Sequence, residues 1–215
     1  MNFLIRVPLN TSPEQHARLC ELRAVFARVC NELAPQVQQS RVWNRVALHH
    51  LHYRSLRAKF PELGSQMVCN AIYAVSKMSR LIYQAPASPY NVSRRAGQPL
   101  PLLKFADSCP VYFDRHTLSI KPGQLSLYTM DGRMRFELQL DADKLALFGQ
   151  TKLREIVLNE RLDKTFELSF FLVSADAPEA NEGVDGDVSD ETLGEAAAPS
   201  APQIPEYVSV EVAQP

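Results

Sequence analysis

Arg41, Arg45, His49 and His52 are spaced four, four and three residues apart, so a helix carrying them would present all four on one face. His50, Arg54 and Arg57 make the neighbouring row, with Lys59 at its end. Lys77 and Arg80 fall in the next helical pattern, and Arg94-Arg95 follow in a loop. The chemistry open to such a set is phosphate recognition. A guanidinium is a planar fork of donors that meets two phosphate oxygens at once, and a row of them can follow a nucleic-acid backbone. The competing reading is an ordinary solvated helix face, which interleaved carboxylates would neutralise. Few are available: residues 1–95 hold 13 Lys+Arg against 4 Asp+Glu, and 11 of the 13 are arginine. The expected ligand is RNA, with DNA as a further candidate.

Other chemistries are poorly supplied. Adjacent histidines on a helix diverge by about 100°, and no cysteine or carboxylate near His49-His50-x-His52 would complete a tetrahedral set, so no metal or other cofactor is expected. Protonation of these histidines near neutral pH would add charge to the phosphate-facing surface. No glycine-rich phosphate loop, nucleophile elbow or pair of strand-borne carboxylates is evident, and Asp107 and Asp114 read as turn residues. The chain is therefore expected to be no enzyme and to hold no catalytic residue. Cys20, Cys30, Cys69 and Cys109 form no C-x-x-C pair and suit buried or surface thiols in a reducing compartment.

The elements that must position the basic rows are legible in outline. Asn2 to Leu9 alternates like a strand. Ser12 as N-cap, Pro13 at the first helical position and Gln15 completing a capping box open a helix whose stripe is Leu19, Leu22, Phe26, Val29 and Leu33, ending at Ala34-Pro35. A second helix is expected over 40–60, burying Val42, Val46, Tyr53, Leu56 and Phe60, and a third from Ser65 to about Tyr83. Prolines then mark a loop. Short strands follow at Leu103–Phe105, Val111–Phe113, Thr117–Ile120, Leu125–Tyr128, Met134–Leu140, Leu153–Asn159 and Phe166–Val173, with Asp131-Gly132 as a hairpin signal and a short helical stretch at 141–148. Their number and spacing suit a small β-barrel or sandwich.

Charge divides the chain in the same places. Residues 96–170 hold 10 Lys+Arg and 10 Asp+Glu, whereas 171–215 hold 10 Asp+Glu and no Lys or Arg. Residues 174–205, rich in Ala, Pro, Gly, Asp and Glu, are expected to be disordered, and Glu206–Val212 is a last β-like stretch. The opening residues are too short and polar for a signal peptide, and no run approaches membrane-spanning length, so a cytoplasmic protein without a membrane partner is expected.

These patterns together resemble the N-terminal half of the TnpB/OrfB-type transposon-encoded RNA-guided nucleases. The matching residues are an opening strand followed by Pro13, Gln15, Leu19, Leu22, Phe26, Cys30 and Asn31, then Tyr53, Leu56, Arg57, Phe60-Pro61-Glu62-Leu63 and Ser65-Gln66. Looser similarity at Ser119-Ile120-Lys121-Pro122 and Gly132-Arg133 extends it over roughly residues 3–172. The resemblance implies a wedge domain, an oligonucleotide-binding-like β-barrel, with a recognition lobe of helices inserted after its first strand. It implies guide-type RNA or an RNA–DNA duplex as ligand. The family's nuclease domain opens with a strand ending in a catalytic aspartate. Here Val208-Ser209-Val210-Glu211 stands in that place without the glycine that should follow. Cleavage through two metal ions needs several carboxylates, so a nuclease-less module is expected.

The organisation expected is thus α+β: first barrel strand 1–10, helical insert 11–92, β-barrel 93–173, acidic linker 174–205 and terminal stub 206–215. Two other readings share the sequence. One is a truncated nuclease remnant without activity of its own. The other is a protein–protein module, with a full-length homologous nuclease or another protein as partner and the acidic tail covering its own basic face.

Overall fold

Leading strand β1 (Asn2–Pro8) delivers the chain to Ser12, which caps helix α1 (Pro13–Ser40) in a computed structural model that describes residues 2–138, 140–174 and 201–212. The Ser12 hydroxyl accepts from the Gln15 amide at 3.2 Å, and the Gln15 side chain accepts from the Ser12 amide at 3.0 Å, the expected capping box. The expected stop at Pro35 does not occur. Proline removes the amide that would bond the Asn31 carbonyl, a cost of about 3 kcal/mol in a helix interior. Burial of Leu33, Ala34 and Val37 on the continuing apolar stripe offsets that cost. The helix ends six residues later than expected, where Arg41 turns left-handed (φ 56°) and returns its amide to the Val37 carbonyl at 2.9 Å.

Helix α2 (Arg45–Lys59) consequently starts late, capped by Asn44, whose side chain accepts from the amides of Val46 and Ala47. Helix α3 (Ser65–Ser79) is apolar on most of its circumference and runs into one π-helical turn, Arg80–Gln84. Buried α1 packs between α3 and strand β2 (Leu102–Phe105). The Asn31 amide clamps that strand: it donates to the Phe105 carbonyl and accepts from the Phe105 amide, both at 2.8 Å.

The remaining strands are β3 (Val111–Phe113), β4 (Leu118–Lys121), β5 (Gln124–Thr129), β6 (Gly132–Glu137), β7 (Thr151–Glu160), β8 (Phe166–Ser174) and β9 (Val208–Glu211), with helix α4 (Ala142–Gln150) before β7. All pairings are antiparallel, in the orders β1-β8-β7-β3, β4-β5-β6 and β2-β9. The expected α+β class is what the chain adopts. The expected Asp131-Gly132 hairpin joins β5 to β6, with Gly132 at φ 96°, a conformation that costs glycine little. Among the described residues no sheet closes on itself. At β3 the reason is visible: Asn70 of α3 donates to the Tyr112 carbonyl at 3.0 Å, so a helix covers the edge where a further strand would pair.

Of the acidic stretch 174–205, residues 175–200 lie outside the described residues. The chain beyond them folds back. Strand β9 pairs with β2, Val208 is buried, and Glu211 forms an ion pair with Lys104 at 2.7 Å.

Candidate nucleic-acid interface

Every arginine before residue 41 is held by a carboxylate: Arg6 by Glu167, Arg18 by Asp131, Arg23 by Glu160 and Arg28 by Glu62. None of the seven arginines from residue 41 to residue 95 is, among the described residues. Those seven are the arginines singled out by sequence, but Arg41 does not share a helix face with Arg45 as the spacing suggested.

Arg41 is not on α2. As the left-handed cap of α1 it donates through its guanidinium to the Gln98 carbonyl at 2.7 Å. That contact draws the α1–α2 connection against the loop that carries Arg94 and Arg95. The loop is itself braced on the π-helical turn: the Val92 amide donates to the Tyr83 carbonyl at 2.8 Å, and the Asn91 side chain donates to the carbonyls of Gln84 and Ala85, both at 3.0 Å. Trp43 closes the group, with its indole N–H on the Gln84 side chain and its ring 5.7 Å from that of Tyr83. Arg41, Arg80, Arg94 and Arg95 therefore belong to one end of the helical layer. Arg80 and Arg94 make no side-chain hydrogen bond, ion pair or ring contact among the described residues; the Arg95 Nε is closed from solvent and unpartnered.

On α2 Leu48 and Leu56 are buried, as is Phe60 at its end, while Tyr53 and the preceding Val42 pack half-buried against the core; of the expected apolar set only Val46 turns outward. Val46 and Leu51 are 49% and 61% exposed, Arg54 is exposed without a side-chain partner, and His52 turns inward. The His52 Nε2 is closed from solvent without a partner, and desolvation pushes its pKa below the ordinary histidine value. Desolvation thus works against protonation of His52, which the sequence reading expected to add charge to this face. His49 stacks on Tyr53 with centroids 4.7 Å apart.

Three expected phosphate contacts are spent internally. Arg57 donates to the carbonyls of Phe60 and Leu63, tying down the exit of α2. Lys59 pairs with Glu32. Lys77 contacts both oxygens of Glu155 at 2.8 Å. The Glu155 group was invisible in sequence because its members come from α3 and β7. Tyr73 donates its hydroxyl to Glu155 at 2.6 Å, and Arg45 lies 5.2 Å from the centre of the Tyr73 ring. Burial, then the Glu155 charge, pushes the Tyr73 hydroxyl far above its ordinary value, so it is a fixed donor rather than a proton shuttle.

The one grouping of metal-ligand types among the described residues is His16, Cys20 and Glu160. Its atoms are already engaged. Glu160 accepts from Arg23 at 2.9 Å and lies within 3.9 Å of Lys164, while the His16 Nε2 is 3.0 Å from the Lys164 carbonyl. Arg23 and Lys164 would repel a cation there, so the cluster fits a pinned salt bridge. Asp114 is the turn residue expected, its Oδ1 accepting from the amides of His116 and Thr117 at 2.9 Å.

A scan against family models and a search of curated proteins each return no match to the chain.

Proposed function

We propose that this chain is a nucleic-acid-binding module that holds structured RNA, or an RNA–DNA duplex, on the helical layer. It does so through Arg41, Arg45, Arg54, Arg80, Arg94 and Arg95. The observation that carries the reading is the division of the arginines: all four before residue 41 are paired with carboxylates, and among the described residues none of the seven from 41 to 95 is. Arginine left without a counter-charge on a surface is available to phosphate, and phosphate contacts position a duplex without reading its sequence. Kinship with the wedge and recognition parts of TnpB/OrfB-type nucleases is part of the proposal. The proposed role is to bind rather than to cut.

The test is titration of the purified chain with RNA transcribed from its own locus, repeated at increasing salt. Binding that weakens steeply with salt is expected; salt-independent binding or none overturns the reading.

A further inference from the structure

The outer face of the β4-β5-β6 sheet carries a second set of cations that make no ion pair among the described residues, arranged beside an exposed aromatic ring. Register places its residues. Leu118, Leu125, Leu127, Met134 and Phe136 point inward and are buried. The alternate positions point outward in cross-strand rows: Tyr128 beside Arg133; Ser119, Ser126 and Arg135; Lys121, Gln124 and Glu137.

Tyr128 is 41% exposed, and the Arg133 guanidinium lies 4.5 Å from its ring centre. Arg133 is fixed there by neutral acceptors: the Ser126 hydroxyl at 2.9 Å, the Ser119 hydroxyl at 3.4 Å and the His116 carbonyl at 3.1 Å. Its orientation is therefore set before any ligand arrives, and its charge remains uncompensated. Lys121 and Arg135 are exposed and make no ion pair among the described residues. Arg133 and Arg135 stand two strand residues apart, about 7 Å, comparable to the separation of successive phosphates along an extended strand.

From this geometry we infer that the β4-β5-β6 face binds single-stranded RNA. A base stacks on the Tyr128–Arg133 pair, and the backbone runs past Arg135 toward Lys121. Base stacking on an aromatic or guanidinium plane requires an unpaired base, because a duplex hides its base faces. The half-exposed Ser119 hydroxyl and the exposed Gln124 amide offer donors and acceptors to a 2′-hydroxyl, which selects RNA over DNA. The inference deepens the nucleic-acid reading but assigns a different face and a different form of ligand from the helical arginines.

The experiment is fluorescence-anisotropy titration of the full chain with a labelled eight-nucleotide oligouridylate, its deoxy counterpart and an RNA hairpin. Tyr128→Ala is expected to weaken oligouridylate binding about 5- to 100-fold and to leave hairpin binding unchanged, while Tyr128→Phe retains the wild-type affinity. Arg135→Glu lowers the same affinity and flattens its salt dependence. Unchanged oligouridylate binding in Tyr128→Ala, or deoxy binding as tight as ribo, overturns the inference. Should the hairpin still bind through the helical arginines, the broader reading survives that failure. Should Tyr128-dependent binding persist while reversals at Arg54 and Arg94 change nothing, the sheet site stands and the helical reading falls.

Discussion

Arg41 and Gln98 stand 57 residues apart in sequence, and the guanidinium of the first rests on the carbonyl of the second at 2.7 Å. This contact makes a single patch of arginines that the sequence distributes over three segments. It exists because α1 runs past Pro35 and ends at a left-handed Arg41, which aims the side chain away from α2 and across the Arg94-Arg95 loop.

Arg41→Ala should therefore loosen the loop more than it destabilises the protein. Expected is faster amide exchange at Arg94, Arg95 and Gln98, a stability change under about 1 kcal/mol, and RNA affinity reduced several-fold. Unchanged exchange at those amides would contradict the brace.

His52 gives a pH signature. Its folded pKa is depressed by desolvation, so its contribution to stability is complete above the ordinary histidine value and is lost as pH falls toward the folded value. The urea midpoint should drop between pH 7 and pH 5, and His52→Leu should reduce that drop while keeping or raising the midpoint at pH 7. A lower midpoint at pH 7 for His52→Leu would mean that Nε2 has a partner.

Asp114 titrates on a lower limb. Burial alone would raise its pKa, but hydrogen bonds from Thr117, His116 and Gln66 outweigh it and hold the carboxyl below the usual range. Its stabilisation is thus present above the unfolded carboxylate value and is lost as pH falls through the folded one. Asp114→Ala should cost about 1–3 kcal/mol at pH 7, and Asp114→Asn should flatten the acid limb of a urea-midpoint profile between pH 5 and pH 3.

Strand β9 is a working part of the fold. Val208 is buried against the β2 layer, so Val208→Asp should destabilise the whole chain by about 3 kcal/mol or more, read as a shift in the chemical denaturation midpoint. An unchanged midpoint would show that β9 does not dock.

Much of this fold is local and therefore legible in sequence. The Ser12 box and the Asp131-Gly132 hairpin depend on neighbouring residues and form where expected, while the strand expected at Met134–Leu140 forms as Gly132–Glu137. What sequence missed is non-local. Pro35 argued for a stop because propensity cannot register the burial of Val37 beyond it. That six-residue extension moved Arg41 off α2. The Tyr73–Glu155–Lys77 group joins α3 to β7 and leaves no spacing signal. Of the basic residues named, sequence identified the charge correctly but could not tell a free guanidinium such as Arg54 from one spent on carbonyls such as Arg57.

The central claim is that unneutralised arginines, not positive charge in general, hold the nucleic acid. Its most direct measurement compares two charge-reversed proteins of equal net charge: Arg54→Glu/Arg80→Glu/Arg94→Glu, and Arg6→Glu/Arg28→Glu/Lys144→Glu, whose cations already have carboxylate partners. RNA affinity is measured from low to high salt. The first protein should lose affinity and about two units of the log–log salt slope, while the second keeps the wild-type slope. Equal losses in both would contradict the account.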